Sequence, residues 1–477
     1  MGGRVKAELL DEPELQFGRG CHVDPRFGLL ELGPADGDAA AAPRTLATGV
    51  IGSQETIEGV VGWLTRCRQP IEGRIEARQS NLFPPFPGFT RDVGFASELV
   101  FDARHQRPIS VRAFRALASI EDRAERVARA AGLFVEELRD IADRALPQVV
   151  LCAPPLELLQ VLAGADGATD SESAPQLHDV LKARAMAHPV PLQYVLPATY
   201  DESKLRRQNA ATGRPRQQQD EATRAWNLHT ALYYKAGGYP WALVRETSEL
   251  QTCFIGISFY WERDGTLATS LAQVFNERGE GVIVRGGPAK LSKTDRQPYL
   301  PRDDAERLLR EALGQYRREH RHLPARVVVH KTSRFTDGEI AGLEAAADAD
   351  QIDVIELITV GPSTTRFFTP RQSPPFRGTH VVLDDRTQVL YTTGSIPFYE
   401  TYPGPYVPQP LGIALDSPEF APQRHASELL ALTKLNWNHS RLDGRDPITT
   451  LAARSIGNIL RHVPHGASIG NRYAFYM

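Results

Sequence analysis

The pattern of apolar segments changes once along the chain, at the Gly237-Gly238-Tyr239-Pro240 turn, and this change most restricts the folds available. Before the turn, short apolar runs (46–51, 149–153 and 191–196) alternate with stretches of helical period. The first run ends in Gly52-Ser53, with Ser53 placed to cap a helix whose face carries Ile57, Val60, Val61 and Leu64. The second stops at Pro154-Pro155. After the turn come three strands in succession (252–260, 266–275, 281–285), the first two joined by the hairpin dipeptide Asp264-Gly265. A helix (303–320), a strand (325–330), a helix (337–347) and a strand (353–360) follow. Further strands are predicted at 379–383 and 388–393, and helices at 426–432 and 449–460.

Strands alternating with helices in the first half predict a parallel, Rossmann-like sheet. No G-x-G-x-x-G follows any of these strands, so a dinucleotide site lacks its phosphate loop. Three hairpin-linked strands followed by αβαβ is the order of a ribonuclease-H-like domain. The expectation is an α/β chain with an N-terminal arm over 1–45, a first domain over 46–240 and a second over 241–477. Residues 83–89 read as a surface excursion rich in Pro and Phe, and 166–173 as a polar loop.

The 477 residues are enough for two or more domains. Lys plus Arg (55) nearly balances Asp plus Glu (58), which excludes a globally basic coat for nucleic acid but not a local basic groove. Cys21, Cys67, Cys152 and Cys253 are far apart with no C-x-x-C pair, against a disulfide scaffold or zinc ribbon and in keeping with a reducing compartment. No apolar run reaches the roughly 18–20 residues that span a bilayer, and the first ten residues lack a signal-peptide core. A cytoplasmic protein with no membrane partner is expected.

A ribonuclease-H site needs clustered carboxylates to hold two metal ions about 4 Å apart. The first strand carries Ser258 where the first acidic ligand belongs, and the end of the fourth carries Lys331. Asp264 and Asp337 are the substitutes at hand, although Asp264 sits in a turn dipeptide. A second constellation straddles the domain junction. Tyr200 and Lys204 are four apart, a spacing that shares one helical face. Arg206, Arg207, Arg214 and Arg216, the run Gln217-Gln218-Gln219, Asn227 and Lys235 follow. These are donors that a phosphate monoester could use, but a basic helical stretch by itself is equally a solvated face. Gly286-Gly287-Pro288-Ala289-Lys290 misses the phosphate-loop spacing, and His320 and His322 end a charged helix.

The segment from Gln219-Asp220-Glu221 through Ala225-Trp226-Asn227 to Lys235-Ala236-Gly237-Gly238 and Pro240-Trp241 resembles the MID–PIWI junction of short prokaryotic Argonautes. Gly256-Ile257-Ser258-Phe259-Tyr260 is similar to the first PIWI strand of the inactive branch. The run from Leu432-Thr433-Lys434 to Asn436-Trp437-Asn438, with Asp446-Pro447-Ile448-Thr449, resembles the C-terminal PIWI segment. There Asn436 or Asn438 stands where active members carry a fourth metal ligand. Phe17-Gly18-Arg19-Gly20 and Asp24-Pro25-Arg26-Phe27-Gly28-Leu29 are similar to the start of such proteins.

The resemblance implies a MID domain that holds a guide RNA by its 5′ phosphate and a degenerate PIWI domain, without N or PAZ domains. Tyr200, Lys204, Asn227 and Lys235 match pocket positions. Gln217, Gln218 and Gln219 all lie within reach of the pocket glutamine position, and Gln219 is favoured because it opens the junction motif. The Met477 carboxylate would reach the pocket through a structural Mg²⁺. Ser258, Lys331 and Asn436 would occupy degenerate catalytic positions, making the chain a pseudo-nuclease. Guided recognition of single-stranded target DNA from a plasmid or phage would then switch on an APAZ-domain effector protein (sirtuin-like, TIR or nuclease) for abortive, NAD-depleting immunity. The alternatives are an active PIWI nuclease built on substitute carboxylates and a nucleotide-binding α/β enzyme acting alone.

Overall fold

A computed structural model describes the chain except for residues 1–5, 75–78, 164–175, 214–216, 218, 245–249, 276–280, 369–373, 405, 417–420, 465–466 and 468. Arg214, Arg216, Gln218 and the polar loop 166–173 therefore lie outside the described residues. Among those described, the chain begins with β1 (Lys6–Leu9), β2 (Leu15–Phe17) and α1 (Pro25–Leu32). The first half is then built on β3 (Thr45–Gly52), α2 (Gln54–Arg66), α3 (Arg123–Arg144), β4 (Val149–Ala153), α4 (Leu177–Ala185), β5 (Leu192–Tyr194) and α5 (Glu221–Lys235). β4 lies between β3 and β5, and the short strands Glu98–Val100 and Gln106–Pro108 line the other side of β3, all parallel. Every residue of β4 is buried, as expected of a parallel strand covered on both faces. Ser53 Oγ accepts from Thr56 N at 3.2 Å and caps α2, and Asp220 caps α5 through Thr223 N at 2.9 Å.

After β6 (Ala242–Leu243), the second half contains β7 (Thr252–Trp261), β8 (Leu267–Phe275), β9 (Gly281–Val284), α6 (Arg302–His320), β10 (Arg326–Lys331), α7 (Asp337–Ala349) and β11 (Val354–Pro362). It continues with β12 (Thr379–Val382), β13 (Thr387–Leu390), β14 (Leu411–Leu415), α8 (Pro422–Leu432) and α9 (Ile448–Leu460). The sheet order is β1-β12-β13-β14-β11-β10-β7-β8-β9, with β7, β10 and β11 parallel and their outer neighbours antiparallel. Its two faces are covered separately. Cys253, Ile255 and Ile257 pack with α6 and α7, whereas Phe254 and Tyr260 pack with residues of α8 and α9. Gly256 is where α9 comes closest: a Cβ there would lie 2.1 Å from the Thr449 carbonyl oxygen.

Two findings differ from the sequence expectation. The stretch 83–89 is no surface excursion. Phe86 and Phe89 are fully buried against α5, with Phe86 edge-on to Trp226 at 5.2 Å and both rings beside His229. Nor do Tyr200 and Lys204 share one helix, because Asp201 takes an extended conformation between two short turns. Helix α5 is buried nearly all round, the mark of a helix inside a core rather than on a surface. It joins the two halves: Trp226 meets the 83–89 segment, and Tyr234 stacks on Trp437 at 4.5 Å. The turn after it needs Gly238, since a Cβ there would run into the Tyr233 ring at 2.3 Å.

The first forty residues bind both halves. β1 pairs antiparallel with β12 (Lys6 opposite Val382), and β2 pairs with β6. Asp36 accepts from Tyr233 Oη at 2.7 Å and Tyr239 N at 3.0 Å. Glu12 lies between Arg377 Nε and Lys434 Nζ, each at 2.9 Å, with both cations fully buried. Burial alone would raise the Glu12 pKa, yet these two cations hold it below its ordinary value.

Candidate functional site

At the carboxyl end of β5, where ligands of parallel sheets commonly sit, a cavity of about 350 Å³ opens between the two halves. Its wall runs from Gln193 and Tyr194 through Ala198, Thr199 and Glu202 to Gln217, Gln219, Arg224 and Asn227, and it is completed by His178, Lys182, Asn438 and Met477. Gln219 and Asn227 are joined, Asn227 Nδ2 donating to Gln219 Oε1 at 3.3 Å. Asn227 Oδ1 in turn accepts from Ser440 N at 3.0 Å, which ties the wall to the segment after α8. Among the described residues, the buried Gln193 Oε1 and Arg224 Nε have no hydrogen-bond partner.

Behind this wall two lysines converge. Lys235, the last residue of α5, donates to the main-chain oxygens of Met477 at 2.9 Å and Ala474 at 3.1 Å. Lys182 of α4 donates to the same Met477 oxygen and to Tyr476 O at 3.1 Å. Both side chains are buried. Burial lowers the Lys182 pKa to about 7 despite the nearby Asp179 carboxylate. Burial, with the Lys182 charge beside it, puts Lys235 well below the lysine range. The nearest carboxylates are engaged, Asp179 with His178 Nδ1 at 2.7 Å and Glu202 with the Arg224 guanidinium. The seat thus buries two lysine amines whose N–H donors converge on one oxygen, a place where an anion would favour their charged forms.

Of the residues predicted for a phosphate pocket, the structure gathers Gln219, Asn227, Lys235 and Met477, with Gln217 also on the wall. It does not bring Tyr200 and Lys204 to the cavity. The Tyr200 ring packs where Gly59 leaves room on α2, and its hydroxyl is buried without a partner. Lys204 Nζ sits over that ring at 5.7 Å and pairs with Glu55 at 2.6 Å. Lys182 was missed. It falls four residues after His178, off the apolar stripe of Leu177, Val180 and Leu181, where a lysine reads as solvated.

The degenerate positions of the second half do not share one site. Lys331 stands opposite Ile257 in the β7–β10 register, and its ammonium lies 5.5 Å from the Phe259 ring and 2.5 Å from Glu339 of α7. Alternation along β7 sends Ser258 to the other face, toward α9. Asn436 bonds within its own turn: Asn438 N donates to its Oδ1 at 3.1 Å, and its Nδ2 lies 3.1 Å from His439 Nε2. Asp264 Oδ1 accepts from Thr266 N at 2.8 Å in the hairpin turn, and Asp337 is exposed at the start of α7. Among the described residues, no three His, Cys, Asp or Glu side chains gather as a metal site, and no helix is long and apolar enough to cross a membrane.

No protein-family profile matches the sequence, and no curated protein matches it. Solved structures do. The Argonaute of Clostridium butyricum, bound to a guide DNA with a 5′ deoxycytidine and a 19-mer target DNA, superposes with a TM-score of 0.64 at 15% identity. The match covers 99% of this chain and 55% of that one. Aa-Ago with externally bound siRNA superposes with a TM-score of 0.58 at 14% identity, covering 99% and 56%. The chain therefore has an Argonaute-like fold and spans a little over half the length of these structures.

Proposed function

From an Argonaute-like fold with two buried lysines at its domain junction, we propose a short MID–PIWI protein that holds a guide RNA by its 5′ phosphate and recognises single-stranded target DNA. In this reading the parallel sheet and α5 form the MID domain over 46–240, and the β7–β11 sheet forms the ribonuclease-H-like PIWI domain over 241–477, with the arm 1–45 packed on it. The observation that carries the reading is the pair of buried lysine amines meeting on one oxygen beside a cavity walled by Gln219 and Asn227. A phosphate monoester would draw on those donors, while base pairing, not protein contacts, would choose the target. Ser258 and Lys331 on opposite faces of the sheet support a chain that binds without cutting. Its output would then come from an APAZ-domain effector partner, in the NAD-depleting defence that the sequence resemblance implies.

The test compares 5′-phosphorylated with 5′-hydroxyl RNA of one sequence in the presence of Mg²⁺, then matched with scrambled single-stranded DNA on the loaded protein. Lys235→Ala should reduce the phosphate advantage about tenfold or more, as loss of a charge-assisted contact does. Equal binding of the two RNAs would remove the guide reading. Cutting of the matched strand that disappears with Asp264→Asn or Asp337→Asn would replace the pseudo-nuclease with an active one.

A further inference from the structure

β1 ends the large sheet, and among the described residues it pairs with β12 alone. The opposite edge is covered, because Ile283 N of β9 donates to Asn471 O at 2.8 Å. On β1 the ladder fixes which groups face outward. Leu10 N donates to Gly378 O at 3.0 Å, continuing the register that sets Leu9 opposite Thr379. Alternation then turns the N–H and C=O of Lys6 and Glu8 toward β12, and those of Ala7 and Leu9 away from it. Side chains alternate as well. Lys6 and Glu8 share one face, with Nζ 3.8 Å from Oε2, and Ala7 and Leu9 take the other, where both are exposed. An open edge of this kind is a template for another strand.

We propose that the occupant is a second copy of this chain, whose β1 adds antiparallel across a two-fold axis at Ala7 and joins the two sheets edge to edge. With the axis there, the outward N–H and C=O groups of the two Ala7 residues bond to each other. Each Lys6 then stands opposite Glu8 of the partner subunit, giving two reciprocal pairs of opposite charge directly across the strands, an arrangement that stabilises a pair. An axis at Glu8 would instead set the two glutamates against each other, which is unfavourable. The order Lys6, Ala7, Glu8 therefore selects both the partner and the register. A lysine ordinarily guards an edge strand, but with Glu8 two residues on it suits a reversed copy of itself. Glu8 has the oxygens for this, since Oε1 faces His380 Nδ1 at 3.0 Å while Oε2 is on the Lys6 side. Such an isologous contact is small, so association is weak and dependent on concentration.

Sedimentation equilibrium of the full chain, from roughly 5 to roughly 500 µM, measures the self-association. The wild type should move from monomer toward dimer over that range. Lys6→Glu alone and Glu8→Lys alone put like charges at both crossings, and each should weaken the dimer at least about fivefold. Mixed in equal amounts, the two variants again set opposite charges across the axis and should regain the association that neither shows alone. Ala7→Pro removes an outward N–H without touching the β12 ladder, a place where an edge strand tolerates proline, and should abolish the dimer. A thermal melt of each variant confirms folding. A wild type that stays monomeric throughout, a mixture that associates no better than its components, or a dimer that survives Ala7→Pro overturns the proposal.

Discussion

Lys182 shows what burial does to a single group. Its ammonium is charged below about pH 7 and neutral above, whereas a solvated lysine stays charged to about 10.4. Two opposite trends follow. Between about 7 and 10.4 the unfolded chain binds more protons than the fold, so the unliganded protein gains stability as pH rises through that window. Anion binding runs the other way, because a phosphate needs the charged form. The advantage of 5′-phosphorylated over 5′-hydroxyl RNA should fall as pH is raised from about 7 to about 9, and Lys182→Met should flatten the profile. Binding curves across that range decide it, and a wild-type profile that is flat removes Lys182 from the titration. Glu12 is the residue-scale counterpart in the arm. Glu12→Ala would leave Arg377 and Lys434 buried with no carboxylate between them, a loss of about 3–5 kcal/mol read in denaturant unfolding.

Among the elements, β7 and α9 make the tightest crossing. Because the Thr449 carbonyl already fills the space over Gly256, Gly256→Ala must push α9 outward, at a cost of about 1–3 kcal/mol in denaturant unfolding. A neutral result would mean that α9 yields without loss. Elements were the most legible level of the sequence. Ser53 as a cap, the alternation around β3 and β4, and the hairpin at Asp264-Gly265 are local signals, and each stands in the structure. What was not legible is decided across long sequence distances. Phe86 and Phe89 read as loop residues because Pro surrounds them, yet α5 supplies the apolar face that buries them. Tyr200 and Lys204 satisfied a helical spacing that Asp201 interrupts. Ser258 and Lys331 appeared as two places of one site until the strand register put them on opposite faces. Lys182 stands four residues after His178 on the polar side of a short helix, a place that reads as solvated until the second half covers it.

For the molecule as a whole, Ser258→Asp should not make a nuclease. A new carboxylate on the α9 face would find His330 and Thr449, which are bonded to each other at 2.9 Å, and among the described residues no three His, Cys, Asp or Glu side chains gather to hold a metal pair. Loaded with guide and matched DNA in Mg²⁺ or Mn²⁺, the variant should bind the target intact. Site-specific cleavage by Ser258→Asp would show that the missing ligands are supplied from elsewhere in the chain. The edge strand β1 has a different kind of consequence, in time rather than energy. Lys6 leaves the ribosome hundreds of residues before its partner Val382 is made. At about 5–20 residues per second, the wait is on the order of tens of seconds. During translation β1 is an orphan strand with open backbone donors, and the sheet edge it covers is closed only after β12 has been made.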